Sequence, residues 1–129
     1  DFDINLLEDL FLKMKLDGSM RVSEMSKGMR EKFQLALCLS RKAHIYILDE
    51  PIAGVDPASR DSIIETIIET YTQDALLLIS THLIQDIESV LEEVIFLNEG
   101  RVTLHENCDV LREKNNMSID ALFREEFKW

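Results

Sequence analysis

Two short runs, Ile45-Tyr46-Ile47-Leu48 and Ala75-Leu76-Leu77-Leu78-Ile79, are apolar at every position and flank a segment of helical periodicity. A half-buried strand alternates apolar and polar residues. A run without alternation instead fits a strand covered on both faces, as in a parallel sheet. Between the runs, Asp56-Pro57 supplies a capping carboxylate followed by proline at the first helical position. Ile63, Ile64, Ile67, Ile68 and Tyr71 then mark one buried stripe. Strand, helix, strand spells a βαβ unit whose strands are parallel neighbours or near neighbours. The fold class is α/β.

The remaining segments arrange themselves around that unit. Residues 4–16 place Ile4, Leu7, Leu10, Phe11 and Met14 at helical spacing and end at Asp17-Gly18. After a polar link, Ser26 suits an N-cap for a second helix from Lys27 to about Arg41, with Met29, Phe33, Ala36, Leu37 and Ser40 on one face. Past His82 an acidic helix is expected to run to about Leu91, with Ile84, Ile87 and Leu91 inward. Val94–Leu97 and Arg101–His105 read as a hairpin around Asn98-Glu99-Gly100, the glycine supplying a positive φ. Ile119, Leu122, Phe123 and Phe127 suggest a last helix.

Composition removes several classes of function. With 129 residues, 46% of them hydrophobic, the chain is about one globular domain long. Its apolar runs reach about five or six residues, far below the ~20 needed to span a bilayer, and no secretory signal pattern opens it. The chain starts at Asp1, so its true start is expected upstream. A net charge of -11 argues against direct nucleic-acid binding, which needs clustered Lys and Arg. Cys38 and Cys108 have no metal-ligand spacing and read as unpaired thiols of a reducing compartment.

Ligands of α/β sheets gather at the carboxyl ends of the strands. Asp49 and Glu50 follow the first apolar run, and His82 follows the second. Two adjacent carboxylates at a strand end can divide the work of phosphoryl transfer, one holding a metal ion and the other orienting a water. Ser26-Lys27-Gly28 opens a helix, where free backbone N–H groups and the positive dipole end favour an anion and a glycine admits a phosphate close to the backbone.

The order and spacing of these elements resemble the ATP-binding domain of ABC-type ATPases. MSKGM, Met25–Met29, resembles the signature motif, usually LSGGQ; ILDEP, Ile47–Pro51, resembles Walker B with the glutamate after it. AGVD, Ala53–Asp56, resembles the D-loop, and STH, Ser80–His82, the H-loop. The dense resemblance covers residues 22–82 and a looser one runs to about 105. It implies that Asp49 holds Mg²⁺ through water, that Glu50 is the general base toward the attacking water, and that His82 contacts the γ-phosphate of ATP. It also implies that Ser26 and Gly28 bind the γ-phosphate of a nucleotide held mainly by a partner domain, with Asp56 crossing the dimer interface. Lys27 stands where the motif usually has its first glycine and Met29 where it has glutamine; the lysine is expected to add charge near the phosphates.

A phosphate-cradling loop has the form GxxxxGK[ST], and none of Gly18, Gly28, Gly54 and Gly100 fits it. The resemblance therefore implies the C-terminal half of a nucleotide-binding domain. That half is a partial P-loop NTPase (RecA-like) core, with parallel strands flanked by helices, plus part of the ABC helical subdomain. The expected division is residues 1–42 as helical subdomain with the signature motif, 43–105 as ATPase core, and 106–129 as a helical tail. The chain alone is expected to hydrolyse almost no ATP, and the open edge of the second strand is expected to drive self-association.

Taken whole, the resemblance implies the ATPase subunit of a membrane transporter at the cytoplasmic face of the membrane. Its partners would be a transmembrane permease and a second nucleotide-binding domain, and the SKGM variant leans toward ABC-2 exporters. A translation- or chromosome-related ABC ATPase would carry a second cassette, coiled-coil insertions or basic surfaces, which this sequence lacks. A non-catalytic module of the same fold is disfavoured by the presence of Asp49, Glu50 and His82 together.

Overall fold

The computed structural model describes residues 1–71 and 74–128, which divide into two compact units, Asp1–His82 and Leu83–Trp129. In the first unit, α1 (Ile4–Lys13) begins at Asp3, whose side chain accepts from the Leu6 N–H at 3.0 Å. It stops earlier than its apolar spacing predicts because Lys15 turns left-handed at φ 56°. The Leu16 N–H then closes back on the Phe11 carbonyl at 2.8 Å, the bond that ends many helices. α2 (Lys27–Leu39) packs against α1 and buries Leu35, Ala36 and Leu39, while Phe33 meets Phe11 edge-on at 6.0 Å. Leu10 and Met14 are the buried residues of the α1 stripe; Ile4, expected on the inner face, is exposed.

β1 (Ile45–Asp49) and β2 (Leu76–Ser80) pair in parallel from Ile45↔Leu76 to Asp49↔Ser80, with α3 (Pro57–Thr70) between them in the chain. The βαβ reading holds, and α3 starts at Asp56 with Pro57 in its first turn. Coverage of the strands differs from expectation. Tyr46 and Leu48 are buried, but Ile45 and Ile47 are 56% and 68% exposed, and Leu76 and Leu78 are exposed on the same face. The pleat sends alternate residues to opposite sides, and only one side is covered by described residues. β2 has β1 as its one strand neighbour among the described residues, so the expected open edge is present.

The second unit holds α4 (Ile84–Ile87), the hairpin β3 (Glu93–Asn98) and β4 (Arg101–Asn107), then α5 (Cys108–Asn115) and α6 (Ile119–Glu126). The acidic helix expected to reach Leu91 is a single turn continued as a 3₁₀ segment over Glu88–Val90. The hairpin turn is the two-residue Glu99-Gly100, with φ of 48° and 75°, the double positive φ that matches strand twist in tight hairpins. Ile84, Phe96, Cys108, Leu111 and Ile119 form the core, and Phe96 meets Phe123 and Phe127 edge-on at 5.5 and 5.9 Å. Both cysteines are free thiols, and burial pushes that of Cys108 up.

Glu88 ties this unit together. Its Oε1 accepts from the Ile119 N–H at 2.6 Å and from Arg112 Nε at 3.2 Å, and its Oε2 accepts from the Asp120 N–H at 3.3 Å. Arg112 also donates to the Glu88 carbonyl at 2.8 Å. A carboxylate at a helix start satisfies donors that the helix itself cannot, so Glu88 caps α6 from a distant segment.

Candidate functional site

The parallel register brings the carboxyl ends of β1 and β2 to the same level, and the chemistry collects there. The Glu50 N–H still donates to the Ser80 carbonyl at 2.8 Å, but Glu50 itself takes φ 47° and leaves the strand. A left-handed, non-glycine residue costs about 1–3 kcal/mol, and such residues cluster at functional positions. The turn aims the Glu50 carboxylate at the segment after β2. Its Oε2 accepts from the Thr81 hydroxyl at 2.9 Å, and its Oε1 accepts from the His82 N–H at 3.1 Å and lies 2.7 Å from His82 Nδ1. Asp49, one residue earlier, accepts from the Ser80 hydroxyl through Oδ1.

Partial burial works to raise the pKa of Glu50, but hydrogen bonds from the His82 ring, Thr81 and the His82 backbone, with the His82 charge, outweigh it and hold the carboxyl below its usual range. Glu50 is therefore ionised at neutral pH. An ionised carboxylate only accepts, so His82 Nδ1 carries the proton of this contact.

Ser26 caps α2 as expected, accepting from the Met29 N–H at 3.2 Å. The Lys27 and Gly28 amides open the helix beyond reach of its own carbonyls, a fit for an anion. Lys27 is 81% exposed and its Nζ stands 4.0 Å from Glu31 Oε1, so its cation is shared with a carboxylate one turn on. Glu31 lines a cleft of about 230 Å³ with Asp49, Glu50 and Pro51. Gln34, Leu35, Cys38, Ile47 and Leu48 complete the lining, so the α2 side and the strand-end carboxylates share one concavity. A shallower depression of about 400 Å³ at Leu122, Glu125, Glu126 and Lys128 contains none of the candidate residues.

Asp56 caps α3 by accepting from the Ser59 N–H at 3.2 Å. Hydrogen bonding from Ser59, aided by the charge of Lys32, holds its carboxyl below the usual range. Between Glu50 and Asp56 the loop is pinned by Ile52 and Val55, both buried. It also touches α2 at close range: a Cβ on Gly28 would stand 2.8 Å from the Gly54 carbonyl oxygen, so that position accepts no side chain unless the backbone moves.

These donor sets match a phosphate and a hard cation in part. Asp49 and the Ser80 hydroxyl are oxygen donors at an open strand end, which suits Mg²⁺ retaining most of its waters. Among the described residues no group of three or more His, Cys, Asp or Glu could hold a metal by itself, so these side chains form no all-protein cage. Nothing in the sequence has the form that cradles the inner phosphates of a nucleotide.

The candidates from the sequence thus fall into two linked groups, Asp49, Glu50 and His82 at the strand ends, and Ser26, Lys27 and Gly28 on α2 with Asp56 across the loop. Ser80 and Thr81 enter the sequence reading only as part of the STH element, with no role given to them, and Glu31 escaped it. The hydroxyls had a signal, since residues just past a parallel strand's end lie level with its neighbour's carboxylates. Glu31 had none, because a glutamate in a helix is ordinarily solvated.

A family model described as "AAA domain, putative AbiEii toxin, Type IV TA system" matches residues 2–85. The ABC-type transporter ATP-binding protein EcsA of Bacillus subtilis is 32% identical over 97 residues, 75% of this chain and 39% of EcsA. The ABC transporter ATP-binding protein YtrB of the same organism is 26% identical over 124 residues, 93% of this chain and 42% of YtrB. A solved structure titled "Structure of ATP binding subunit of ABC transporter" superposes with a TM-score of 0.81 at 28% identity, covering 94% of this chain and 52% of that one. The chain spans about two-fifths of the length of these curated relatives. It belongs to this AAA domain family, with a P-loop NTPase fold, and the relatives it resembles are ATP-binding proteins of ABC transporters.

Proposed function

We propose that this chain supplies one part of a composite ATP-hydrolysing site in an ABC transporter. The observation that carries the reading is the Glu50 carboxylate, ionised and bonded to His82, beside Asp49 at the ends of two parallel strands. Glu50 accepts a proton from a water at its carboxylate, His82 contacts the terminal phosphate, and Asp49 would hold Mg²⁺. Bound Mg²⁺ supplies charge neutralisation at the phosphate oxygens. Ser26, Lys27 and Gly28 bind the terminal phosphate of a nucleotide held mainly by a second nucleotide-binding domain, and Asp56 faces that domain.

The inner phosphates are held by polypeptide outside these residues. The partners are a transmembrane permease and a second nucleotide-binding domain, at the cytoplasmic face of the membrane; the Ser26-Lys27-Gly28-Met29 variant favours an exporter of the ABC-2 type. No helix among the described residues is long and apolar enough to cross a membrane, which suits a peripheral subunit. The test is Mg-ATP hydrolysis. In the complete protein, Glu50→Gln should lower kcat by about 10²–10⁴ while nucleotide still binds, the range for losing a general base. Undiminished kcat overturns the role of Glu50, and sustained turnover by residues 1–129 alone overturns the composite site.

A further inference from the structure

Gly28, Glu31 and Lys32 stand at i, i+3 and i+4 of α2, a spacing that places them on one face of the helix. Gly28 and Glu31 meet the loop between Glu50 and Asp56. Gly28 approaches the Gly54 carbonyl, and the charge of Lys32 acts on Asp56. Glu31 is pressed onto the loop most closely: a Cβ added to Gly54 would lie 2.0 Å from Glu31 Oε2 and 2.3 Å from its Cδ. That Oε2 is buried without a hydrogen-bond partner. Stability alone does not favour such a group, because a buried acceptor with no donor forfeits the water it had in the unfolded chain. What the arrangement provides is a contact between two pieces of backbone that carry different parts of the candidate site, backed by the close approach of Gly28 to the Gly54 carbonyl.

We infer that Glu31 is a positioning residue, a strut that sets the first turn of α2 against the Glu50–Asp56 loop so that displacement of either is passed to the other. Ser26, Lys27 and Gly28 sit at one end of the strut and Glu50 and Asp56 flank the other. The loop's second anchor, Ile52 and Val55 in the core, leaves Gly54 as the point where α2 can push. The catalytic sense of this coupling rests on the ATPase reading above; the mechanical coupling does not.

The experiment has two arms. In the first, backbone amide NMR on residues 1–129 compares Glu31→Ala with Glu31→Gln. The alanine should shift the amides of Gly54, Val55 and Asp56, more than twenty residues away in sequence, and the glutamine, which keeps the shape, should largely restore them. Gly54→Ala should in turn shift the amides of Ser26, Lys27 and Gly28. Changes confined to residues adjacent to each substitution would overturn the coupling. In the second arm, the complete protein carrying Glu31→Ala should lose kcat for ATP by roughly 2- to 30-fold, the range of coupling mutations, at unchanged KM, with Glu31→Gln recovering it. A change in KM alone overturns the positioning role, whereas absence of turnover in the wild type counts against the ATPase reading and leaves the NMR arm to judge the strut.

Discussion

Replacing Glu88 with glutamine probes the tie that holds the second unit. The wild-type carboxylate has 14% of its side-chain surface exposed and accepts from the Ile119 and Asp120 amides and from Arg112. Glutamine keeps one acceptor oxygen for Ile119 but presents an NH₂ toward Asp120 or Arg112, where a donor meets a donor. Hydrogen bonds to a charged group contribute about 1.5–3 kcal/mol each, so losing one and weakening the rest should destabilise α6 by about 2 kcal/mol. Amide exchange in α6 reads this directly, and 2 kcal/mol corresponds to a loss of protection of about 30-fold. The pH dependence sharpens the test. Burial works to raise the pKa of Glu88, but the two amides and Arg112 outweigh it, so the folded pKa lies below the reference value of 4.5. A depressed carboxyl contributes stability that is present above the unfolded pKa and lost as pH falls through the folded one. Protonated glutamic acid then resembles glutamine, and the difference between wild type and variant should shrink toward zero below the folded pKa. A difference that stays constant from neutral to acid pH would refute the charge-based account.

Three further outcomes follow from other parts of the fold. The buried Tyr46 hydroxyl donates to the Arg41 carbonyl at 2.6 Å and accepts from the Ala43 N–H at 3.2 Å, so Tyr46→Phe should lower unfolding free energy by about 1–3 kcal/mol in urea titration. Glu99 adopts φ 48° at the first position of the hairpin turn, where asparagine is tolerated far better, so Glu99→Asn should raise the melting temperature, and a fall would contradict the turn assignment. The exposed Ile47 and Leu78, with the open edge of β2, should drive concentration-dependent association in sedimentation, strengthened by salt that screens the net charge of -11. Ile47→Lys with Leu78→Lys should abolish it, and a wild-type chain that stays monomeric at every concentration would refute the edge argument.

Much of the first unit could be read from local pattern because local chemistry decides it. Asp56-Pro57 and Ser26 each start a helix through their own side chains, and the structure retains both caps. Asp49, Glu50 and His82 could be grouped before any coordinates, since two parallel strands in register must end together. What lay beyond reach depends on residues remote in sequence. α5 has few apolar residues and is anchored by the Arg112–Glu88 tie, which a short window does not reveal, whereas its Asn107 cap was a local signal that went unread. Glu31 looks like any solvated helical glutamate until Gly54 arrives from another loop. The left-handed turn at Glu50 has no glycine to announce it, yet without that turn the carboxylate would not meet Thr81 and His82.

The strand faces show where pattern and packing separate. Ile45, Ile47, Leu76 and Leu78 state that their side of the sheet suits burial; they do not state which element supplies the cover. Burial on the opposite face reaches Tyr46 and Leu48, whereas these four remain between 45% and 68% exposed. The exposed face continues along β1 and β2 to Asp49 and Ser80 at their carboxyl ends, and Ile47 and Asp49 line the cleft shared with Glu31. Apolar cover laid over Ile45, Ile47, Leu76 and Leu78 would therefore end against the carboxylate cluster and exclude water from it. Electrostatic interactions strengthen as water leaves, so the same burial that stabilises the sheet would strengthen the bonds of Asp49 and Glu50 to the Ser80 and Thr81 hydroxyls and the His82 N–H. Coverage of this face and ordering of the carboxylate cluster are on that argument one physical event.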